Sequence, residues 1–187
     1  MSLEISPEFD KNNSVVITET QVDDIEAVSH LLALSWLETY VNDEHGVTEE
    51  WVRQRVEERQ SPERISAQKE RLLTNKENPD FGSFVAKDDL GKVIGITTPY
   101  RDNDDKQHLG ALYVDKYYHG KGVASKLMEK VLEWSDPHSP IYLGVAVYNE
   151  RAKAFYRKWG FHEIQGSERL FADMIPEIEM IREGETE

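Results

Sequence analysis

Apolar positions along the 187-residue chain follow two periods in turn, and the switch between them divides it into helical and extended stretches. Residues 14–20 (SVVITET) are rich in β-branched side chains and predict a first strand. Asp23 and Asp24 open a helix whose apolar stripe runs Ile25, Val28, Leu32, Trp36. Residues 42–46 break that stripe. Thr48-Glu49-Glu50 starts a second helix through 51–59, and Ser61-Pro62-Glu63 a third that reaches Leu73 and closes before Asn78-Pro79. This charged middle third reads as a solvated helical hairpin or as a mobile flap. From Phe81 the period becomes two. Strands at 81–87 and 92–98 flank the turn Asp88-Asp89-Leu90-Gly91, and a polar loop at 101–107 leads to a strand at 108–114. A loop of glycine and lysine follows, then a helix at 123–134 with Val123, Leu127, Val131 and Ala124, Met128, Leu132 at helical spacing. Asp136-Pro137-His138-Ser139-Pro140 ends it. Residues 141–148 (IYLGVAVY) are continuously apolar, as in a strand covered on both faces. A helix at 149–159 turns Ala152, Phe155, Tyr156 and Trp159 inward and stops at Gly160, and two more strands fall at 161–170 and 177–181. The expectation is one α+β domain over residues 1–187, with a mostly antiparallel sheet containing at least one parallel pair.

Charge changes the picture next. The chain has 22 Lys and Arg against 36 Asp and Glu, net −14, which disfavours phosphate backbones and anionic lipid and favours cationic partners. Residues 106–160 are an exception, with nine basic against five acidic side chains, a local +4 that leaves −18 elsewhere. A basic island in an acidic chain suits a polyanionic ligand, although surface lysines on helices produce the same count. The chain has no cysteine, which removes disulfides, thiolate metal sites and cysteine nucleophiles and is compatible with a reducing, cytoplasmic location. No apolar run is long enough to span a membrane, and the acidic amino end lacks the apolar core of a secretory signal. The scattered histidines show no metal-ligand spacing, so no metal is expected.

The stretch that carries chemistry is strand, then Tyr117-Tyr118-His119-Gly120-Lys121-Gly122-Val123-Ala124, then helix. Glycines at 120 and 122 let a ligand approach the backbone. The helix that follows aims unpaired N–H groups and its positive dipole end at the same place, a ready anion site to which Lys116 and Lys121 add field. The spacing is neither that of a Walker loop nor that of a dinucleotide fingerprint, and a plain strand-to-helix turn explains a lone GxG equally well. Asn149-Glu150-Arg151-Ala152-Lys153-Ala154-Phe155-Tyr156 and Trp159-Gly160-Phe161 sharpen it.

Together these segments resemble the GNAT superfamily of acetyl-CoA-dependent N-acetyltransferases. Gly122 and Ala124 match the family's Arg/Gln-x-x-Gly-x-Gly/Ala pyrophosphate loop, with His119 in the place of the usual Arg or Gln. Asn149, Ala152, Phe155, Tyr156, Gly160 and Phe161 match its Asn-x-x-Ala-x-x-Phe-Tyr-x-x-x-Gly-Phe signature. The two motifs cover 108–161. The resemblance implies a central mixed sheet of about six or seven strands, a parallel pair splayed at the CoA site, and four or more flanking helices. It implies that the edge of Leu112, Tyr113 and Val114 pairs with the pantetheine arm, the acetyl carbonyl lying near Val114. His119, Gly120, Lys121, Gly122, Val123 and Ala124, with Ser125, would hold the pyrophosphate. Asn149 would bond the pantetheine arm, Lys153 or Arg151 would face the 3′-phosphate, and Tyr156 would protonate the leaving thiolate.

An ammonium of pKa ~10 must lose a proton before it attacks a thioester. His108 stands at the start of the strand and, by alternation, shares a face with Gly110, Leu112 and Val114. It is one candidate base, and water is the other. Trp36, Tyr40 and Trp51 are candidate walls for the amine, with Glu38, Asp43, Glu44 or Glu49 to neutralise it. Direct transfer to a primary amine suits a chain without a thiol nucleophile. A non-catalytic acyl-CoA sensor on the same fold is the alternative, and a homodimer is compatible with the family.

Overall fold

In the computed structural model, which describes residues 14–186, the predicted elements appear in order. They are β1 (Val16–Glu19), α1 (Ile25–Tyr40), α2 (Glu49–Arg59), α3 (Pro62–Thr74), β2 (Phe84–Lys87), β3 (Val93–Arg101), β4 (Gln107–Val114), α4 (Val123–Trp134), β5 (Ile141–Ala146), α5 (Glu150–Lys158), β6 (His162–Glu163), β7 (Arg169–Phe171) and β8 (Ile175–Arg182). The acidic amino-terminal stretch lies outside the described residues. Local chemistry explains the helix starts. Thr48 accepts from the Trp51 N–H, Ser61 accepts from Arg64 N–H ahead of Pro62, and Asn149 accepts from Ala152 N–H.

The strands form one mixed sheet in the order β1-β2-β3-β4-β5-β8-β6, with β7 on β8. Every pairing is antiparallel except β4 with β5. On one face α1 lays Val28 and Leu31 on Val85, Val93 and Ile96, and Trp36 and Tyr40 join Val52 and Val56 of α2 over Ile175. On the other face α4 and α5 bring Met128, Val131 and Tyr156 onto Leu109, Leu143, Ile178 and Met180. The charged middle third is a helical hairpin: α2 is anchored by Val52 and Val56, whereas α3 buries no residue and reaches α1 through a Lys69–Glu26 ion pair of 2.7 Å.

Two expectations change. The strand expected at 161–170 breaks into β6 and β7, because Gly166 at φ 80° and a hydrogen bond from the Ser167 hydroxyl to the Ile164 carbonyl turn the chain between them. This brings the sheet to eight strands. β5 is not covered throughout: Gly144 in its middle is exposed, because β5 borders a cavity.

Candidate active site

β4 and β5 pair only at Gln107–Ile141 and His108–Tyr142, at the start of both strands. Beyond that point they part, and a cavity of about 600 Å³ opens between them. A bulge shapes its β4 wall. Thr97 pairs with Leu112 but Pro99 pairs with Leu109, so Gly110 and Ala111 together oppose Thr98. The Thr97 hydroxyl fixes the bulge by donating to the Ala111 carbonyl at 2.9 Å. The extra residue falls out of the ladder and reverses the alternation. Leu109 therefore packs on the same face as Leu112 and Val114, against α4 and α5. His108 falls on the opposite face, not on the face of Leu112 and Val114 that strict alternation predicts.

At one end of the cavity the chain leaves β4 through a 3-10 turn, Lys116–Tyr118, capped by the Asp115 carboxylate. Gly120 at φ 73° and Gly122 at φ 81° then lead into α4. A Cβ built on either meets nothing within 4 Å, so the backbone conformation, not crowding, calls for glycine there. His119 ties this loop to both neighbours. Its Nε2 is 2.9 Å from the Val114 carbonyl and its Nδ1 is 2.7 Å from Arg151 Nη1. A carbonyl only accepts and a guanidinium only donates, so this imidazole is the neutral Nε2–H tautomer. Gly120, Gly122, Val123, Ala124, Ser125 and Arg151 line the cavity with it. Lys121 does not; its ammonium lies 5.4 Å from the Tyr118 ring.

Asn149 and Tyr156 reach the same cavity from α5. The Asn149 side chain caps the helix it starts. Tyr156 is 8% exposed, and its hydroxyl has no hydrogen-bond partner among the described residues. Burial, with Tyr113 and Glu177 nearby, pushes its ionisation well above the ordinary phenol range. Lys153 points elsewhere: it is 6% exposed and held by Glu150 at 3.1 Å and Glu163 at 3.7 Å. Of the two cations expected to serve a 3′-phosphate, Arg151 is the one at the cavity. Leu112, Tyr113 and Val114 line it, and the Tyr113 and Tyr40 hydroxyls meet at 2.6 Å.

The far end is built by β7 and β8, together with the start of β4. His108 lines it, stacked on Tyr100 with centroids 4.9 Å apart, its Nε2 2.8 Å from Asp102 Oδ2. Glu177 is here as well, and sequence reasoning missed it. It is 6% exposed, and burial lifts its carboxyl to about 6 while Arg169 opposes the rise. Arg169 Nη2 stands 4.0 Å from Glu177 and Nη1 stands 3.5 Å from Glu179. A Cβ on Gly144 would lie 2.6 Å from Glu177 Oε2 and 3.1 Å from Arg169 Nη2, so the missing side chain of β5 is the space this pair occupies. The available signal was the pair of acids two residues apart in 175–182, which alone reads as a solvated strand face. Of the expected amine walls, Tyr40 and Glu38 line the cavity, Glu38 paired with Lys116 at 2.9 Å, while Trp36 is core at 3% exposure. Trp51, Asp43, Glu44 and Glu49 do not line it. Among the described residues no three His, Cys, Asp or Glu side chains come together as a metal cluster, and no helix is long and apolar enough to cross a membrane.

The sequence profile of the Acetyltransferase (GNAT) family matches residues 36–161. An uncharacterised N-acetyltransferase of Mycobacterium tuberculosis is 37% identical over 112 residues, 57% of this chain and 69% of that protein. A PaiA N-acetyltransferase from Thermoplasma acidophilum, solved in complex with coenzyme A, superimposes with a TM-score of 0.70 at 21% identity, over 91% of this chain and 99% of that one. A spermidine N-acetyltransferase variant from Vibrio cholerae gives 0.62 at 18% identity, over 89% and 92%. The chain belongs to the GNAT family, and its class is that of an acetyl-CoA-dependent acyltransferase.

Proposed function

We propose that this protein transfers acetyl from acetyl-CoA to a cationic primary amine by direct attack, the donor entering between the splayed strands at the α4 end and the amine at the β7–β8 end. The observation that carries the reading is the single cavity that joins the glycine-rich helix start to Tyr156 and Glu177. At the donor end, amides of 119–124 with Ser125 take the pyrophosphate, Arg151 faces the 3′-phosphate, and Leu112, Tyr113 and Asn149 flank the pantetheine arm. The bulge at Gly110–Ala111 sets backbone amides free of the ladder in the same wall, which suits them to polarise the thioester carbonyl. On this reading the acetyl group lies upstream of Val114, whose carbonyl accepts from His119. Tyr156 then protonates the departing thiolate. The amine class is supported by the net charge of −14 and by the carboxylates at the β8 end, and the low identity to the spermidine enzyme adds only the fold. A cytoplasmic location, where acetyl-CoA is made and used, is part of the same proposal.

The test is thiol release from acetyl-CoA across polyamines, amino acids, aminoglycosides and basic peptides. A chain without cysteine contributes no thiol of its own. Release with one class establishes the transfer and names the acceptor. Silence across the panel, with CoA binding confirmed by calorimetry, would instead leave an acyl-CoA-binding module.

A further inference from the structure

We infer that Glu177 is the residue that receives the acceptor's ammonium group and takes its proton, a role for which the sequence pointed to His108 or water. The inference rests on the acetyl-transfer reading.

The placement argues for it. Glu177 lines the cavity from β8, the strand between β5 and β6, at 6% exposure. Neither carboxylate oxygen accepts a hydrogen bond among the described residues, and the nearest cation, Arg169, stops at 4.0 Å. A buried carboxylate so placed is under-solvated and gains from an arriving ammonium. Arg169 does not quench it, because the same guanidinium also serves Glu179 at 3.5 Å. The three groups carry a net −1, which an ammonium balances. Gly144 leaves space that the ends of the Glu177 and Arg169 side chains fill: a Cβ there would lie 2.6 Å from Glu177 Oε2, and a larger residue would displace the carboxylate from its present position.

His108 is less well placed for the proton. The bulge puts it on the same sheet face as Glu177, but its Nε2 is already engaged by Asp102 at 2.8 Å, whereas the Glu177 oxygens accept no hydrogen bond among the described residues. The groups around Glu177 come from every packed element: Tyr40 of α1, Tyr113 of β4, Tyr148 after β5, Tyr156 of α5, Arg169 of β7 and Glu179 of β8. Burial above all, and the Glu177 charge after it, raise the ionisation of all four tyrosines, so all stay neutral at neutral pH and none competes for the proton. With a carboxyl at about 6, Glu177 is ionised above that pH and yet basic enough to share a proton with an amine.

The step balances as follows. The ammonium passes one proton to the Glu177 carboxylate, and the neutral nitrogen attacks the thioester carbonyl. The C–N bond forms, the C–S bond breaks, and the thiolate takes the Tyr156 proton. The second proton of the nitrogen restores the Tyr156 hydroxyl, and the first leaves Glu177 for solvent.

The experiment uses the full-length chain, acetyl-CoA and the best amine of the panel, with kcat/KM measured from pH 5 to 9. Wild type is expected to show an acid limb with a midpoint near 6. In Glu177→Gln, kcat/KM for the amine falls about 100-fold at pH 7.5 and the limb disappears, while the acetyl-CoA Kd holds within twofold. An aryl hydrazine, already neutral at that pH, loses less than tenfold. Glu177→Asp keeps the limb at a reduced rate, so the outcome is readable even if the Gln variant folds poorly. A Gln variant that keeps its rate and its limb overturns the role of Glu177 and leaves the transferase reading standing. A wild type that releases no thiol with any amine overturns the transferase reading, and the proton transfer with it.

Discussion

At the scale of single residues, one burial acts on two groups in the same direction with opposite chemical use. Desolvation raises both Tyr156 and Glu177, because each loses hydration for its anion. For Tyr156 the result is a phenol that stays protonated at any working pH. A weaker acid looks like a poorer donor, but in the proposed reaction a thiolate formed in the same cavity would be desolvated too, and the two basicities would rise together. For Glu177 the shift brings a carboxyl up into the range where a base operates. Tyr156→Phe removes only the hydroxyl, whose bonding partner is absent until the thiolate forms. We expect kcat to fall about 100-fold with the acetyl-CoA Kd unchanged within twofold. Single-turnover rates with calorimetric affinity check this, and an unaltered kcat would remove Tyr156 from the chemistry. Tyr156 was legible in the sequence because it sits in a contiguous motif on one helix. Glu177 was not, because an acid on a strand is read as solvated until the sheet order shows that its strand lies between β5 and β6.

At the scale of elements, what was legible is what short-range forces decide. α4 falls at Val123–Trp134, where its helical period and flanking breakers put it, and α2, α3 and α5 start at side-chain caps visible in the sequence. The β4 bulge was not legible. Whether two residues oppose one depends on the partner strand, and Gln107 to Val114 alternates well enough alone to hide it. The error this caused is confined to His108, placed one residue out of phase with the far half of its own strand. Likewise Lys153 and Arg151 lie two apart on α5, and helical period separates them by about 200°. Only the packing of α5 decides which one meets the cavity. The strand–loop–helix unit makes its own test. Gly122 is at φ 81° with open space around it, so Gly122→Val adds backbone strain of about 1–2 kcal/mol and a branched side chain in the path of an anion. CoA binding followed by calorimetry should be lost, while the unliganded protein keeps its helical circular dichroism. Tight binding by this variant would move the pyrophosphate away from the start of α4.

For the whole molecule, the cavity runs along a gradient of charge. Its α4 end has Arg151 and the α4 amino terminus, and its β8 end has Glu177 and Glu179 against one Arg169, in a chain of net −14. On the proposed reading, a polyanionic donor and a cationic acceptor would be drawn to opposite ends of this cavity, ordering the ternary complex before any contact forms. Salt should separate the two. The acceptor feels local and global charge of the same favourable sign. The donor feels a local attraction opposed by a global repulsion, and screening removes part of each. Since the screening length falls from about 10 Å at 0.1 M to about 3 Å at 1 M, the long-range share disappears first. Between 0.05 and 0.5 M NaCl we therefore expect kcat/KM for a cationic amine to drop several-fold at constant kcat. The acetyl-CoA KM should move less, and a neutral aryl hydrazine should show no such drop. Initial-rate kinetics over that range decide it. If the neutral acceptor loses as much as the charged one, salt is acting on the fold or the chemistry, and the charge gradient has no part in selecting the acceptor.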